Sequence, residues 1–232
     1  SKRHGAAGVQ EFRDQGLLNS ALVNYLALLG WNPGTEQELF SSEELIHEFS
    51  IDRVQKKGAV WDNQKLEWIN QQTILRMDND DILVQIRNIN SQWGEKQPEE
   101  TLLSIIELMK PRSKTFVELI NTTDYFFHDP TEYDPKTMRK RWKNSGVNEL
   151  VNEYKQCLDN VEEWTVENVE VELRNLSNKN NINPAKLIHP VRLALSGIGA
   201  GPSLFHMMEV LGKDICVKRL EKAVDLLPFE EQ

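Results

Sequence analysis

Apolar side chains recur every three or four residues along almost the whole chain of 232 residues, which is the period of an amphipathic α-helix. The segment LLNSALVNYLALLGW at 17–31 shows this period at Leu18, Leu22, Tyr25, Leu26 and Leu29. Gly30 and the turn NPGT follow it, as expected at a helix end. The pattern predicts a mainly α fold with short extended pieces, of which GAVW at 58–61 is the clearest.

Polar residues just before apolar runs mark helix starts, because their side chains accept hydrogen bonds from unpaired amides of the first turn. Three N-caps are predicted in this way: Ser42, Asp62 and Thr165. The helix after Ser42 is expected to bury Leu45, Ile46 and Phe49, and the helix after Asp62 to bury Leu66 and Ile69.

Two junctions divide the chain. RMDNDD at 76–81 is acidic and weakly apolar, and DPTEYDP at 129–135 is a turn with two prolines. They predict three domains, at 1–80, 81–130 and 131–232, of which the last two form one all-α helical region.

The formal net charge of −9 argues against a uniformly basic nucleic-acid-binding surface. Two local basic runs remain, KPRSK at 110–114 and RKRWK at 139–143. Lys110, Lys114, Arg139 and Arg141 are therefore candidate contacts to a phosphate backbone. The alternative is that each run is a solvated basic helix face.

The sequence offers no arrangement typical of an autonomous catalytic or metal centre. Its five histidines are scattered, and its two cysteines, Cys157 and Cys216, fit no metal spacing and are expected to be buried thiols in a reducing cytosol. No apolar run is long enough to span a membrane. The loop SGIGAGPS at 196–203 follows a helical pattern and lacks the Lys-Ser/Thr of a P-loop, so a tight inter-helix loop is favoured over a phosphate cradle.

Several separated motifs carry a family resemblance. SKRHGA with the following helix is similar to the Lys-Met/Leu-Ser-Lys-Arg signature of class I aminoacyl-tRNA synthetases. The segments at 25–70, ELMKPRSKTFVEL at 107–119 and HPVRLALSGIGAGPSLFHMMEVLGK from 189 resemble bacterial-type glutamyl-tRNA synthetases, in the same order. The resemblance runs from Ser1 to about Ala223.

The resemblance implies the C-terminal part of such an enzyme, without its Rossmann-type catalytic domain. Ser1, Lys2 and Arg3 would be the remnant of the signature loop that holds ATP phosphates, and residues 1–80 the stem-contact domain. The full enzyme would attach glutamate to tRNA(Glu) with ATP and Mg²⁺. This chain alone is expected to be an inactive, cytoplasmic monomer that binds tRNA(Glu) and no metal.

The resemblance also implies the residues that read the anticodon. Arg112 lies where the family reads the third anticodon base, and an arginine there goes with tRNA(Glu) over tRNA(Gln). The other implied contacts are Arg192, Gly201, Pro202 and Leu204, although some members carry Thr at the position of Gly201. Two alternatives stay open: a non-discriminating enzyme that charges both tRNAs, and a helical module that binds protein.

Overall fold

The computed structural model describes residues 8–56, 58–142 and 146–227. These residues form thirteen α-helices and three short 3-10 helices, at Ile51–Arg53, Lys110–Arg112 and Asp124–Phe126. Extended pairing among them is limited to an isolated antiparallel bridge between Trp31 and Val54. The predicted mainly α fold is confirmed, but the predicted extended piece GAVW at 58–61 forms neither a strand nor a bridge.

The chain divides into two compact units between Thr122 and Thr123. The first unit contains seven helices: α1 (Val9–Asp14), α2 (Asn19–Gly30), α3 (Ser42–Glu48), α4 (Asn63–Arg76), α5 (Asn79–Ile89), α6 (Glu99–Met109) and α7 (Phe116–Thr122). The acidic junction at 76–81 lies inside this unit, between α4 and α5. The finer division into three domains stays a prediction.

Helices α2 and α4 pack against each other at the centre of the first unit. Their core consists of Ala21, Leu22, Tyr25, Leu66 and Ile69. Asp62 begins α4 by accepting hydrogen bonds from the amides of residues 64 and 65, at 2.9 and 3.1 Å. The predicted cap and the predicted buried pair of α4 are therefore both confirmed.

The start and the buried face of α3 differ from the prediction. Ser41, not Ser42, is the N-cap, and it forms a capping box with Glu44. Leu45 is buried against Trp31 and Phe40, as predicted. Ile46 is 82% exposed, because one position along a helix turns a side chain by about 100° away from the face of Leu45. Phe49 is the C-cap of α3 and is 46% exposed, although its ring centroid lies 5.6 Å from that of Trp31.

The second unit contains six helices: α8 (Pro135–Arg141), α9 (Val147–Asp159), α10 (Val166–Lys179), α11 (Ala185–Ser196), α12 (Leu204–Leu211) and α13 (Lys213–Leu226). Thr165 caps α10 by accepting from the amide of Asn168 at 3.3 Å, as predicted. Cys216 is fully buried, whereas Cys157 is only half-buried, so the expectation for Cys157 was wrong in degree.

A buried arginine joins three segments of the second unit. Arg219, 2% exposed, donates to Asp129 Oδ1 at 3.0 Å and to the carbonyls of Tyr125 and Leu195 at 2.7 Å each and of His128 at 2.9 Å. Asp129 also pairs with Lys218 at 2.9 Å. Because each guanidinium nitrogen has an acceptor, this buried charge fastens α13 to the C-terminal turn of α11 and to the 125–129 segment.

In the described part of the chain, no helix combines the length and the apolarity that a bilayer crossing requires.

Candidate nucleic-acid interface

In the first unit, the Lys-Pro-Arg segment forms a separate turn at the end of α6. The α-helix ends at Met109, and residues 110–112 continue as a 3-10 helix with Pro111 at its start. The hydroxyl of the buried Ser113 donates to the Met109 carbonyl at 3.0 Å and closes the turn. Arg112 is exposed. The prediction that Pro111 ends the helix where Arg112 appears is confirmed.

A buried asparagine holds this turn in place from α4. The Asn70 side chain donates to the Lys114 carbonyl at 2.6 Å and accepts from the Leu18 amide at 2.8 Å. Its neighbour Gln71 donates to the Pro111 carbonyl at 3.0 Å. The backbone on either side of Arg112 is thus fixed by two consecutive residues of α4, which makes the turn a rigid platform for the arginine.

The two lysines that flank Arg112 are engaged by acidic or polar partners. Lys110 pairs with Glu107 at 2.9 Å and donates to Asn79 at 2.9 Å, with its side chain 14% exposed. Lys114 pairs with Glu67 at 2.7 Å. The hydrogen bond to Glu67 raises the pKa of Lys114, and the one from Lys110 lowers the pKa of Glu107. A contact from either lysine to an RNA phosphate would compete with these ion pairs. The phosphate contacts of Lys110 and Lys114 therefore stay predictions.

In the second unit, the Gly-rich segment is a tight loop between α11 and α12. Gly197 adopts the left-handed conformation (φ 74°) that ends α11. Its carbonyl accepts from the Asp134 amide at 2.8 Å, and a Cβ there would stand 2.6 Å from the Glu132 carbonyl oxygen. A Cβ at Gly199 would overlap Thr137. The loop is therefore pressed onto residues 132–137, and the favoured prediction of a tight inter-helix loop is confirmed.

Arg192 and Gly201 lie together, as the proposed anticodon contacts require. A Cβ at Gly201 would stand 3.1 Å from Nη1 of Arg192, so the guanidinium rests against the loop backbone. Pro202 is buried, and Leu204 is 3% exposed and forms part of the core. The loop instead exposes Ile198, Ala200 and Ser203. Base contacts by Pro202 and Leu204 stay predictions that would need the loop to open.

Helix α8 places a cluster of cations beside α11, against which it packs. Its last turn carries Arg139, Lys140 and Arg141, of which Arg141 is half-buried and the other two are exposed. Burial lowers the pKa of His189 on α11, and the positive charges of Arg141, Arg192 and Lys140 lower it further. Cations from both helices therefore act on His189. Lys140, Arg141, His189 and Arg192 are called the positive region below.

Sequence reasoning missed His189 as a member of this region. The available signal was its spacing, since residues three apart on a helix lie on one face and His189 precedes Arg192 by three. Ser1, Lys2 and Arg3 lie outside the described residues. Within the described ranges, no group of three or more His, Cys, Asp or Glu side chains is placed to hold a metal ion.

Comparison with known families gives this geometry a context. Residues 64–224, well over half of the chain, match the model of the anticodon binding domain family. The chain belongs to this anticodon-binding domain family. Residues 1–68 match a second model, the catalytic domain of class I tRNA synthetases (E and Q). All proposed anticodon residues of this family member lie within the first match.

Curated relatives of this anticodon-binding chain are glutamate–tRNA ligases. One from Syntrophomonas wolfei is 39% identical over 98% of this chain and 46% of its own length. Another, from Chloroherpeton thalassium, is 37% identical over 100% of this chain and 48% of its own length. The chain thus spans about half the length of the curated relatives it matches, and the resemblance to the C-terminal region of glutamyl-tRNA synthetases is confirmed.

Solved structures agree with the sequence relatives of this anticodon-binding chain. A glutamate tRNA ligase from Elizabethkingia meningosepticum, crystallised with its amino acid, superimposes with a TM-score of 0.86 at 30% identity. The match covers 94% of this chain and 43% of that one. A glutamate-tRNA synthetase from Elizabethkingia anophelis gives a TM-score of 0.80, also at 30% identity, over 92% of this chain and 42% of that one.

Proposed function

We propose that this chain is the tRNA-binding part of a glutamate–tRNA ligase and that it binds the anticodon arm of tRNA(Glu). The observation that carries the proposal is the match of residues 64–224 to the anticodon binding domain family. The same residues contain the exposed Arg112 and the half-buried Arg192.

The local chemistry supports recognition of a single-stranded loop. Bases in an RNA loop are unstacked and present their edges, which a planar guanidinium can recognise with two parallel hydrogen bonds. Arg112 stands on a turn held by Asn70 and Gln71, and Arg192 rests against Gly201. Both arginines stand on backbone that neighbouring residues hold in place, so little backbone freedom is lost when a base binds.

The activity of the whole protein is part of the same proposal. The parent enzyme would activate glutamate with ATP and Mg²⁺ and transfer it to tRNA(Glu), with Ser1, Lys2 and Arg3 contributing to the ATP-binding loop. Within that protein, this chain would bind the tRNA. We propose that it does so as a monomer in the cytoplasm.

A binding assay with altered anticodons tests the proposal. Fluorescence anisotropy would compare the anticodon stem-loop of tRNA(Glu) with hairpins of equal length in which only the anticodon bases differ. We expect the cognate hairpin to bind about tenfold more tightly, the effect of one lost bidentate base contact. Equal affinity for all hairpins would contradict anticodon recognition.

A second candidate concerns the range of tRNAs accepted. The arginine at 112 favours an enzyme that discriminates against tRNA(Gln), because in the resemblance to glutamyl-tRNA synthetases an arginine at this position goes with tRNA(Glu). The alternative is a non-discriminating enzyme that charges both tRNAs. Charging assays of the full-length protein with tRNA(Glu) and tRNA(Gln) decide between the discriminating and the non-discriminating enzyme. Arg112→Gln should raise charging of tRNA(Gln) relative to tRNA(Glu), and an unchanged ratio would remove Arg112 from the reading role.

A further inference from the structure

His189 lies on α11 within electrostatic reach of cations from two helices of the second unit. It shares one face of α11 with Arg192, three residues on, and α8 packs against α11. The cations that act on it are Arg141 and Lys140 from α8 and Arg192 from α11 itself. Among the described residues, α9, α10, α13 and the 124–126 turn also pack against α11, and none contributes a charge that shifts the titration of His189.

The electrostatics of this cluster favour an anion. His189 is half-buried, and burial together with the three positive charges lowers its pKa, so its imidazole is neutral at pH 7. A bound oxyanion would reverse this balance, because an adjacent negative charge favours the protonated ring. Protonated imidazole donates from both nitrogens and would add a third cationic donor beside the two guanidinium groups.

We propose that Arg141 and His189 bind a phosphate of the RNA backbone beside Arg192, and that His189 takes up a proton when this phosphate binds. This rests on the proposed function, since it assigns the phosphate to the anticodon arm. It adds a backbone contact next to the arginine that contacts a base. The arrangement divides the work in the usual way, with phosphate contacts setting position and Arg192 reading sequence.

The proton uptake makes a distinct prediction for binding. The stem-loop should bind about fivefold more tightly at pH 6.0 than at pH 8.0, the contribution of one partly exposed ion pair. The slope of log affinity against log salt concentration should steepen, by up to about 0.7, between the same two pH values, because one more positive charge of the protein then contacts the RNA backbone. Both changes report the charge on His189 and would not follow from a role in folding.

Two substitutions test the assignment. In His189→Gln, the affinity at pH 8.0 should be close to that of the parent chain, and both pH effects should disappear. His206→Gln is the matched control, since His206 is an exposed histidine in the first turn of α12, where its Nδ1 lies 2.9 Å from Oγ of Ser203. It should keep both effects. Retention of the pH effects in His189→Gln, or their loss in His206→Gln alone, would overturn the proposal.

An NMR titration separates this inference from the proposed function. The ring signals of His189 would be followed against pH in the free chain, with the stem-loop and with inorganic phosphate. We expect the midpoint to rise with either ligand. If the stem-loop does not bind at all, the proposed function fails, and the phosphate titration alone decides whether an anion site exists. A midpoint unchanged by phosphate overturns that site, and a rise with phosphate but not with bound stem-loop overturns the RNA assignment.

Discussion

The guanidinium of Arg192 rests against the backbone of Gly201, where a Cβ would stand 3.1 Å from its Nη1. Arg192 also presents its carbonyl to the Ser196 hydroxyl at 2.8 Å, in the turn that leads into the loop. The position of the arginine side chain therefore depends on a loop residue that has no side chain. This relationship links the composition of the loop to the proposed recognition of a base.

Gly201→Ala tests that dependence. The added methyl should displace the Arg192 side chain by a few tenths of an ångström and lower affinity for the anticodon stem-loop about threefold, since a small misplacement weakens a directional contact. The free energy of unfolding should change by less than about 1 kcal/mol. Gly146→Ala is the control, because its Cβ would stand an ordinary 3.8 Å from Oε2 of Glu149. Equal affinity of the two variants would contradict the dependence.

Asn70→Ala should destabilise the first unit. It removes a buried amide that bonds the Leu18 amide and the Lys114 carbonyl, and leaves both backbone groups without that partner. We expect a loss of about 2–3 kcal/mol in thermal or urea unfolding. Asn88→Ala, on the exposed face of α5, makes the same chemical change and should cost almost nothing. Similar losses in both variants would show that Asn70 does not hold the turn.

The pair of Asp129 and Arg219 should make the stability of the second unit decrease at acidic pH. The hydrogen bond from Lys218, followed by that from Arg219, lowers the pKa of Asp129 below its ordinary value. The unfolded state then binds the proton first, so the stability due to Asp129 is complete above about pH 4 and is lost as pH falls through the lowered pKa.

Asp129→Asn should remove that dependence at a cost. Because Arg219 is 2% exposed, loss of its carboxylate partner should destabilise the chain by about 2 kcal/mol at pH 7. Urea unfolding between pH 2.5 and 7 measures both effects, with Asp159→Asn at an exposed site as the control. An acid dependence that persists unchanged in Asp129→Asn would contradict the role given to this pair.

The two cysteines should differ in reactivity. Burial raises the pKa of the Cys216 thiol to about 12, and it raises that of the half-buried Cys157 less. Thiolate is the reactive form, so a thiol-specific reagent at pH 8 should label Cys157 slowly and Cys216 only after unfolding. Mass spectrometry of labelled peptides would measure the order. Labelling of Cys216 first would show that the core around it opens.

The sequence predicted the helices better than their contacts. Asp62 and Thr165 were recognisable as caps because the signal is local, and Leu66 and Ile69 follow the helical period. Ser41 and Ser42 are equally good caps, and the choice depends on which amide turns towards the hydroxyl. The bridge from Asn70 to residue 114 spans 44 positions, and no local pattern encodes such a contact.

Only part of the candidate site was predicted, because local patterns do not encode contacts between distant segments. The resemblance identified Arg112, Arg192 and Gly201, and the structure brings the last two together. It did not indicate that Pro202 and Leu204 are buried, since the sequence of a Gly-rich loop is equally compatible with exposed and with buried apolar side chains. His189 was missed because a lone histidine acquires meaning only when α8 brings Arg141 near it.

Footprinting of tRNA(Glu) on the chain tests the central claim most directly. The account predicts that hydroxyl-radical cleavage is suppressed in the anticodon loop and the adjoining stem, and that Arg192→Ala weakens this protection while the chain stays folded by circular dichroism. Protection confined to other parts of the tRNA, or anticodon-loop protection that is equally strong in Arg192→Ala, would contradict it.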